Sequence, residues 1–375
     1  MKLKTTLVED LDRLYEIKDA WSDLVPKSAS PWIFSLPEWS IAFLKTFGSD
    51  CRLHLALAWE DGKLVGILPL VEQRGKAHDL FLTRYEPVSG LRADYQAPII
   101  QAGSENHLLE HLFEHLPRDR KGVLRWPHLP ENHPTLPLFR RYFQTRGWPW
   151  SETLSYCSRY LFPATYREVE QSWSRKHRKE VRRQRRKLQQ IGRLALEVLD
   201  DPKEIHDWLS EFFEVYSHKW RSEGLPSQFD DARIRIYYQE LANQFLSKGL
   251  HVSSLKLDDR RIAYDFSFLH GGWFYDYTTT YRKEYHFYSP GLVHLSMLMD
   301  HGCAEKWTGF DFLQGHESYK NKWTSDGLTC VTFNVGINGG GFPYKWAADY
   351  EPKLRKGFGN LYTRLRFLFK GSKWI

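Results

Sequence analysis

Between residues 310 and 323 an apolar strand broken by a carboxylate, Phe310-Asp311-Phe312-Leu313, runs into Gln314-Gly315-His316-Glu317-Ser318-Tyr319-Lys320-Asn321-Lys322-Trp323. Asp311, Glu317, Tyr319 and Lys320 thus gather at one strand end, where α/β folds bind ligands. A carboxylate there could take the proton of an attacking amine. A tyrosine or lysine could stabilise an oxyanion or protonate a leaving thiolate. The same residues also read as a surface turn with solvated charges. Upstream, Ser289-Pro290-Gly291 opens a helix that continues from Leu292 to Asp300. Backbone N–H groups at such a positive helix end suit a pyrophosphate, although serine and proline are also ordinary helix-opening residues.

Other candidate chemistry is thinner. His107, His111 and His115 recur every four residues on one helical face, with Glu110 and Glu114 off that face. This reads as a solvated face, and no metal site is expected. No Ser-His-Asp or Cys-His arrangement suggests a covalent enzyme intermediate, so direct attack of the acceptor is expected.

The elements that position these residues read as two similarly built halves. Leu7 to Leu24 has helical periodicity and stops before Pro26, and a second helix follows Pro37. A hairpin then runs through Leu53–Ala58, turns at Asp61-Gly62 and returns through Leu64–Leu68. The same order recurs 197 residues on, as a helix over Arg233–Leu246, strands over His251–Leu257 and Ile262–Phe268, and a turn at Asp258-Asp259. Trp273 to Thr278 reads as a further strand. The fold class expected is α/β, two lobes in tandem, each a mixed sheet flanked by helices. Pro127 to Pro163 reads as loop-rich, placing an N-terminal lobe over 1–150, a C-terminal lobe over 151–345 and a basic amphipathic segment over 346–375.

The 375 residues leave room for two such domains. The formal charge of +7 is unevenly held: Arg175 to Arg193 carries +9 and Glu351 to Ile375 carries +6, leaving the remainder at −8. An acidic body with two basic segments is not a general nucleic-acid binder. Four cysteines, none at metal spacing, make no disulfide framework and point to a reducing cytoplasm. Met1 to Leu11 carries no secretory core, and no run of about 18 apolar residues is present. The aromatic share of 15% suits both cores and clefts that stack on planar or sugar ligands.

Taken in order, the basic helix Ser174-Arg175-Lys176 to Gly192, Arg261-Ile262-Ala263, Ser289-Pro290-Gly291, Phe310-Asp311-Phe312 and Glu317-Ser318-Tyr319-Lys320 with Trp323 resemble the CelD-like acetyltransferases. These belong to the GNAT superfamily and are related to the FemAB aminoacyltransferases. In the first half, Trp39, Gly66-Ile67-Leu68-Pro69-Leu70 and Asp94-Tyr95 fit the same pattern. The resemblance covers the chain to about residue 335. It implies two GNAT-like lobes and acyl transfer from a thioester, usually acetyl-CoA, to an amine or hydroxyl, without a metal.

Carried onto this sequence, Ser289, Pro290 and Gly291 would face the CoA pyrophosphate. Asp311, Glu317, Tyr319 and Lys320 would line the acceptor cleft as catalytic groups. Asp94, Tyr95, Tyr275, Asp276 and Trp323 would contact substrate. One departure is that Tyr281 is followed by Arg282, where relatives often carry a Tyr-Asp pair, and Asp276 is the substitute base available.

The reading that results is an acetyltransferase acting on a saccharide-type acceptor in envelope or exopolysaccharide synthesis, cytoplasmic or peripheral to the inner membrane face. Its alternatives are a FemAB-like enzyme using aminoacyl-tRNA, and a non-catalytic binding module. The basic helix suits nucleic acid, anionic glycan or lipid. The C-terminal stripe of Leu361, Leu365, Phe367, Leu368 and Phe369 suits docking on the body or a membrane surface.

Overall fold

The computed structural model describes residues 2–74, 83–118, 120–315 and 317–339. The expected amphipathic segment 346–375 lies outside them. The chain divides into two compact units, Met1–Ser155 with Thr329–Ile375, and Tyr156–Leu328.

The first unit opens with β1 (Leu3–Val8), α1 (Leu11–Glu16), α2 (Lys18–Leu24) and α3 (Pro37–Phe47). Strands β2 (Arg52–Glu60), β3 (Lys63–Arg74), β4 (Thr83–Pro87) and β5 (Ile99–Ile100) follow. The unit continues through α4 (Glu105–Phe113), β6 (Gly122–Pro130) and α5 (Thr135–Thr145). The chain passes to the second unit within β7 (Trp150–Leu161), which leads to α6 (Tyr166–Ser172), α7 (Arg175–Gln189), β8 (Leu194–Leu199), α8 (Pro202–Ser222) and α9 (Ala232–Phe245). Then come β9 (Leu250–Leu257), β10 (Arg260–His270), β11 (Trp273–Tyr281), α10 (Pro290–Ala304) and β12 (Gly309–Gln314). The chain returns to the first unit within β13 (Gly327–Ile337).

The two units share one topology. In the first, the strand order is β1-β2-β3-β4-β6-β13, with β5 on β3; in the second it is β8-β9-β10-β11-β12-β7. Each begins as a four-stranded antiparallel meander, makes one parallel step (β4 with β6, β11 with β12) and ends on an antiparallel strand. The equivalent hairpins turn on Asp61-Gly62 and on Asp258, all at positive φ. The mixed α/β architecture and the doubled hairpin therefore match the sequence reading.

Two segments differ from it. The stretch read as one helix from Leu7 to Leu24 is a strand followed by two short helices. Residues 3–8 pair with β2, and Asp10 starts the helical part by accepting a hydrogen bond from the Arg13 N–H. The proline-rich 127–163 stretch is also structured. Pro134 and Pro137 sit at the start of α5, where a missing N–H costs nothing, and Pro149 precedes β7.

In the second unit the hydrophobic core lies between the sheet and the helices α6, α7 and α10. It contains Val169, Trp173, Val181, Phe274, Leu298, Met299, Phe310, Phe312 and Trp323. No described helix is long and apolar enough to cross a membrane.

Candidate active site

Strands β11 and β12 pair in parallel only through Trp273–Gly309, Phe274–Phe310 and Tyr275–Asp311. Both continue beyond that point unpaired to each other, β11 for six residues and β12 for three. Parting strands expose backbone and side chains that a continuous ladder would cover. Next to this opening lies a cavity of about 330 Å³, wholly within the second unit.

The cavity is lined by two carboxylates from neighbouring strands, Asp265 of β10 and Asp276 of β11. Their meeting depends on a β-bulge. Asp265 stands opposite Thr279 and Phe266 opposite Thr278, but Phe268 stands opposite Tyr275. Ser267 therefore faces both Asp276 and Tyr277. The extra residue breaks the alternation and brings Asp276 to the face that carries Asp265. The Tyr277 N–H donates to Ser267 Oγ at 3.2 Å, which fixes the bulge.

The two carboxyl groups are 1% and 8% exposed and hydrogen-bond to each other. One oxygen of each, Oδ1, has no partner. Burial and the neighbouring Asp276 push Asp265 well above the usual carboxylate range. Burial pushes Asp276 up to about 6, against the pull of Asp265's hydrogen bond and the Lys320 charge. Both carboxyl groups are thus held above the usual range, and the pair favours sharing a proton as pH approaches neutrality. Nearby, Thr280 Oγ1 is also buried and unpartnered.

Tyr319 reaches the same cavity. Burial, and then the charges of Asp276, Glu317 and Asp265, push its phenol upward, so it remains a proton donor. Trp323 forms part of the wall, held edge-on by Trp173 and His177 at ring separations of 4.9 and 4.5 Å. His294 of α10 lies behind, its ring bonded to Ser253 Oγ at 3.1 Å; burial lowers it to about 3, so it stays neutral.

The opening turn of α10 supplies the remaining wall through Ser289, Gly291 and Leu292. Ser289 is left-handed (φ 48°), and its carbonyl accepts from the N–H groups of both Leu292 and Val293. Pro290 has no N–H and is buried behind the turn. Only the Gly291 N–H of this turn is left for a ligand, fewer than the several expected. A Cβ on Gly291 would meet nothing nearer than Tyr281 Cδ1 at 3.8 Å, so packing does not demand glycine here. Its bareness keeps the turn open, and with Lys322 on the wall the site fits one phosphate-sized anionic group.

Of the residues singled out by sequence, Ser289, Gly291, Asp276, Tyr319 and Trp323 line this cavity, while Asp311, Glu317, Lys320 and Tyr275 do not. Asp311 is fully buried, with Oδ2 3.1 Å from Arg159 Nε and Oδ1 accepting from the Leu313 N–H at 2.9 Å. Lys320 Nζ donates to the Leu313 and Gln314 carbonyls (3.3 and 2.9 Å) and lies 3.1 Å from Glu317 Oε2. This clamp shapes the end of β12 and places Tyr319 next to it. Tyr275 is buried beside Asp311. Asp94 and Tyr95 belong to the first unit, where Tyr95 is 1% exposed and packs on Trp32 and Phe34.

Asp265 was missed by sequence reasoning, though Tyr264-Asp265-Phe266 carries the same signal as Phe310-Asp311-Phe312: a carboxylate inside an apolar strand. Arg282, which follows Tyr281 at the end of β11, has a structural role. It donates to Glu211, which also accepts from Tyr264 OH at 2.8 Å and from Arg261 Nη1 at 3.2 Å. The histidine face of α4 holds no cluster of ligands, and His111 Nδ1 is 2.9 Å from the His107 carbonyl oxygen. No group of three or more metal-binding side chains exists among the described residues.

Comparison with known proteins places these features. Residues 175–321 match the family described as acetyltransferase (GNAT) domain. No curated protein matches the sequence. Among solved structures, FemX is similar at a TM-score of 0.62 and 11% identity, covering 92% of this chain and 99% of that one. A conserved protein of unknown function from Bacteroides thetaiotaomicron is similar at 0.55 and 10% identity, over 89% of this chain and all of that one. The C-terminal domain of a putative lysylphosphatidylglycerol synthetase from Agrobacterium fabrum is similar at 0.52 and 11% identity, over 87% and 92%. At such identities the likeness is one of fold. The likeness to an acetyltransferase (GNAT) domain thus falls within the second unit, over residues 175–321.

Proposed function

We propose that the second unit transfers an acyl group from a thioester, acetyl-CoA, to an amine or hydroxyl of a saccharide-type acceptor. The observation that carries this reading is one cavity lined by both the open turn at Gly291 and the buried pair Asp265–Asp276, with Tyr319 at its edge. A bound thioester would supply an activated carbonyl, and the chain's own side chains would supply the rest. Asp276, ionised near neutrality, accepts the proton that the acceptor loses as it attacks. Asp265 retains the shared proton and orients that carboxylate. The neutral Tyr319 hydroxyl donates its proton to the departing sulfur, and no covalent enzyme intermediate is needed. Aromatic walls from Tyr264, Tyr281 and Trp323 suit a sugar face or an ammonium group. A cytoplasmic location and a role in envelope or exopolysaccharide synthesis go with this reading.

A second reading, aminoacyl transfer from tRNA as in FemAB-like enzymes, draws on the likeness to FemX over 92% of the chain and on the single amide free at the Gly291 turn. Calorimetric titration with acetyl-CoA, and separately with free CoA, tests the choice. Saturable binding that weakens in Gly291→Leu supports the thioester. Absence of binding at millimolar CoA removes it and turns the search to aminoacyl-tRNA.

A further inference from the structure

Helix α7 buries one stripe, His177, Val181, Gln184 and Leu188, and turns an almost uniformly cationic surface outward. Arg175, Lys176, Lys179, Arg182, Arg183, Arg186 and Lys187 are all exposed. Arg182 is held by Glu170 and Arg183 by Glu180, at 2.7 and 2.8 Å. Arg175, Lys176 and Lys179 form no ion pair with a carboxylate among the described residues, and Lys187 only shares the field of Glu180 with Arg183. Like charges three and four residues apart weaken a helix. Apart from the Arg182–Glu170 pair with α6, nothing in the packing of α7 calls for them, since its buried stripe supplies the rest of the attachment. A surface of this kind is relieved when it meets a dense array of negative charge.

The neighbouring segment decides which array. Residues 283–288 pack on α7, with Tyr285 and Tyr288 joining Leu188 in one apolar cluster. Phe287, between those tyrosines, is 75% exposed, and Ile191, just past α7, is 47% exposed. Bare apolar side chains flanking a cationic helix are the pattern of a protein that lies on a bilayer. The cations meet headgroups there, and the apolar groups enter the boundary beneath. The outward face of α7 offers no ring that would stack on a base, as a single-strand binder would.

We infer that the outer face of α7, together with Phe287 and Ile191, docks this protein on a membrane bearing anionic phospholipid. Glu180 of the same helix lines the cavity beside Asp276, so docking brings the candidate active site to the bilayer surface. The inference stands on the surface alone and does not depend on which acyl donor the cavity takes.

The test is co-sedimentation of the full chain with phosphatidylcholine vesicles, with and without about one-third phosphatidylglycerol, at about 0.1 M salt, where surface charges still act over roughly 10 Å. Retention is expected only on the anionic vesicles and is lost at high salt. Each cation near the surface contributes about fivefold to partitioning, so K176E/K179E/K187E lowers it by at least about 100-fold. F287A lowers it severalfold with the charge unchanged. These side chains are exposed, so unchanged circular dichroism and melting show that the variants fold. The inference is overturned if anionic vesicles do not bind, if the triple variant binds as before, or if F287A has no effect. Binding to structured RNA with none to vesicles also overturns it and makes the face a nucleic-acid surface.

Discussion

Asp265 and Asp276 hydrogen-bond to each other across a β-bulge, and each keeps one oxygen unpartnered against the same cavity. In a regular antiparallel ladder their parities differ, and they would face opposite sides of the sheet. The bulge thus converts two unrelated strand carboxylates into a proton-sharing pair, the arrangement that makes a base near neutrality out of an ordinary aspartate.

The activity of such a base follows its ionised fraction. With Asp276 raised to about 6, kcat/KM should climb tenfold per pH unit below about 6 and level off above it. Asp276→Asn should lower kcat by about 100-fold or more and abolish that limb. Asp265→Asn keeps a donor toward Asp276 and should leave the limb near its place. Asp265→Ala removes the hydrogen bond that draws Asp276 down and should move the limb to higher pH. A limb that does not move in Asp265→Ala would show that the pair is not coupled.

The same pair makes a prediction about stability. Both aspartates bind a proton more tightly in the folded protein than in the unfolded chain, where carboxyls titrate near about 4. The contribution of Asp276 is therefore fully present below about pH 4 and is lost as pH rises through about 6, while that of Asp265, held higher, persists beyond it. Asp276→Asn removes a buried charge at high pH and leaves a neutral group at low pH. It should be more stable than the native protein at pH 8, by up to about 3 kcal/mol, and no more stable at pH 4. Denaturant titrations of both proteins at the two pH values check this.

How much of this was legible beforehand follows from the range over which each feature is set. The helix–hairpin–strand order repeated at Asp61-Gly62 and Asp258 depends on local periodicity and turn chemistry, and was readable in both halves. The strand at residues 3–8 was not, because its partner β2 lies some fifty residues away. Phe310-Asp311-Phe312 and Tyr264-Asp265-Phe266 look alike as sequence, but Asp311 stands opposite Arg159 and is neutralised by it, whereas Asp265 meets Asp276. Cross-strand register separates a carboxylate paired with an arginine from one that lines the cavity, and no pattern within either triplet encodes it.

Gly291 separates binding from packing. Its backbone is helical and a methyl group has room beside Tyr281, so Gly291→Ala should fold and gain about 0.5–1 kcal/mol of helix stability. Gly291→Leu should fold too, but its side chain fills the space in front of the one free amide. Melting temperatures unchanged or raised, with thioester affinity lowered at least about tenfold in the leucine variant, are the expected result. A leucine variant that binds acetyl-CoA normally would place the anion elsewhere.

Lys320 does not line the cavity, and its contacts are those of a residue that positions its neighbours. All three of its protons are engaged, by the Leu313 and Gln314 carbonyls and by Glu317, and the ammonium is buried. Leu313 is itself left-handed, at φ 55°, so these contacts hold the end of β12 in a conformation it would not otherwise keep. Lys320→Met would leave two carbonyls without this donor, a loss of about 2–4 kcal/mol in denaturant titration. Tyr319 is the adjacent residue, so kcat should fall with the loosened turn while the pH at which activity rises moves only slightly. Tyr319→Phe should do the reverse. It should leave stability within about 1 kcal/mol and lower kcat by about 10–100-fold, with the loss shrinking for donors whose thiol departs without needing a proton. Equal losses of activity in the two variants, with native stability in Lys320→Met, would return Lys320 to the chemistry.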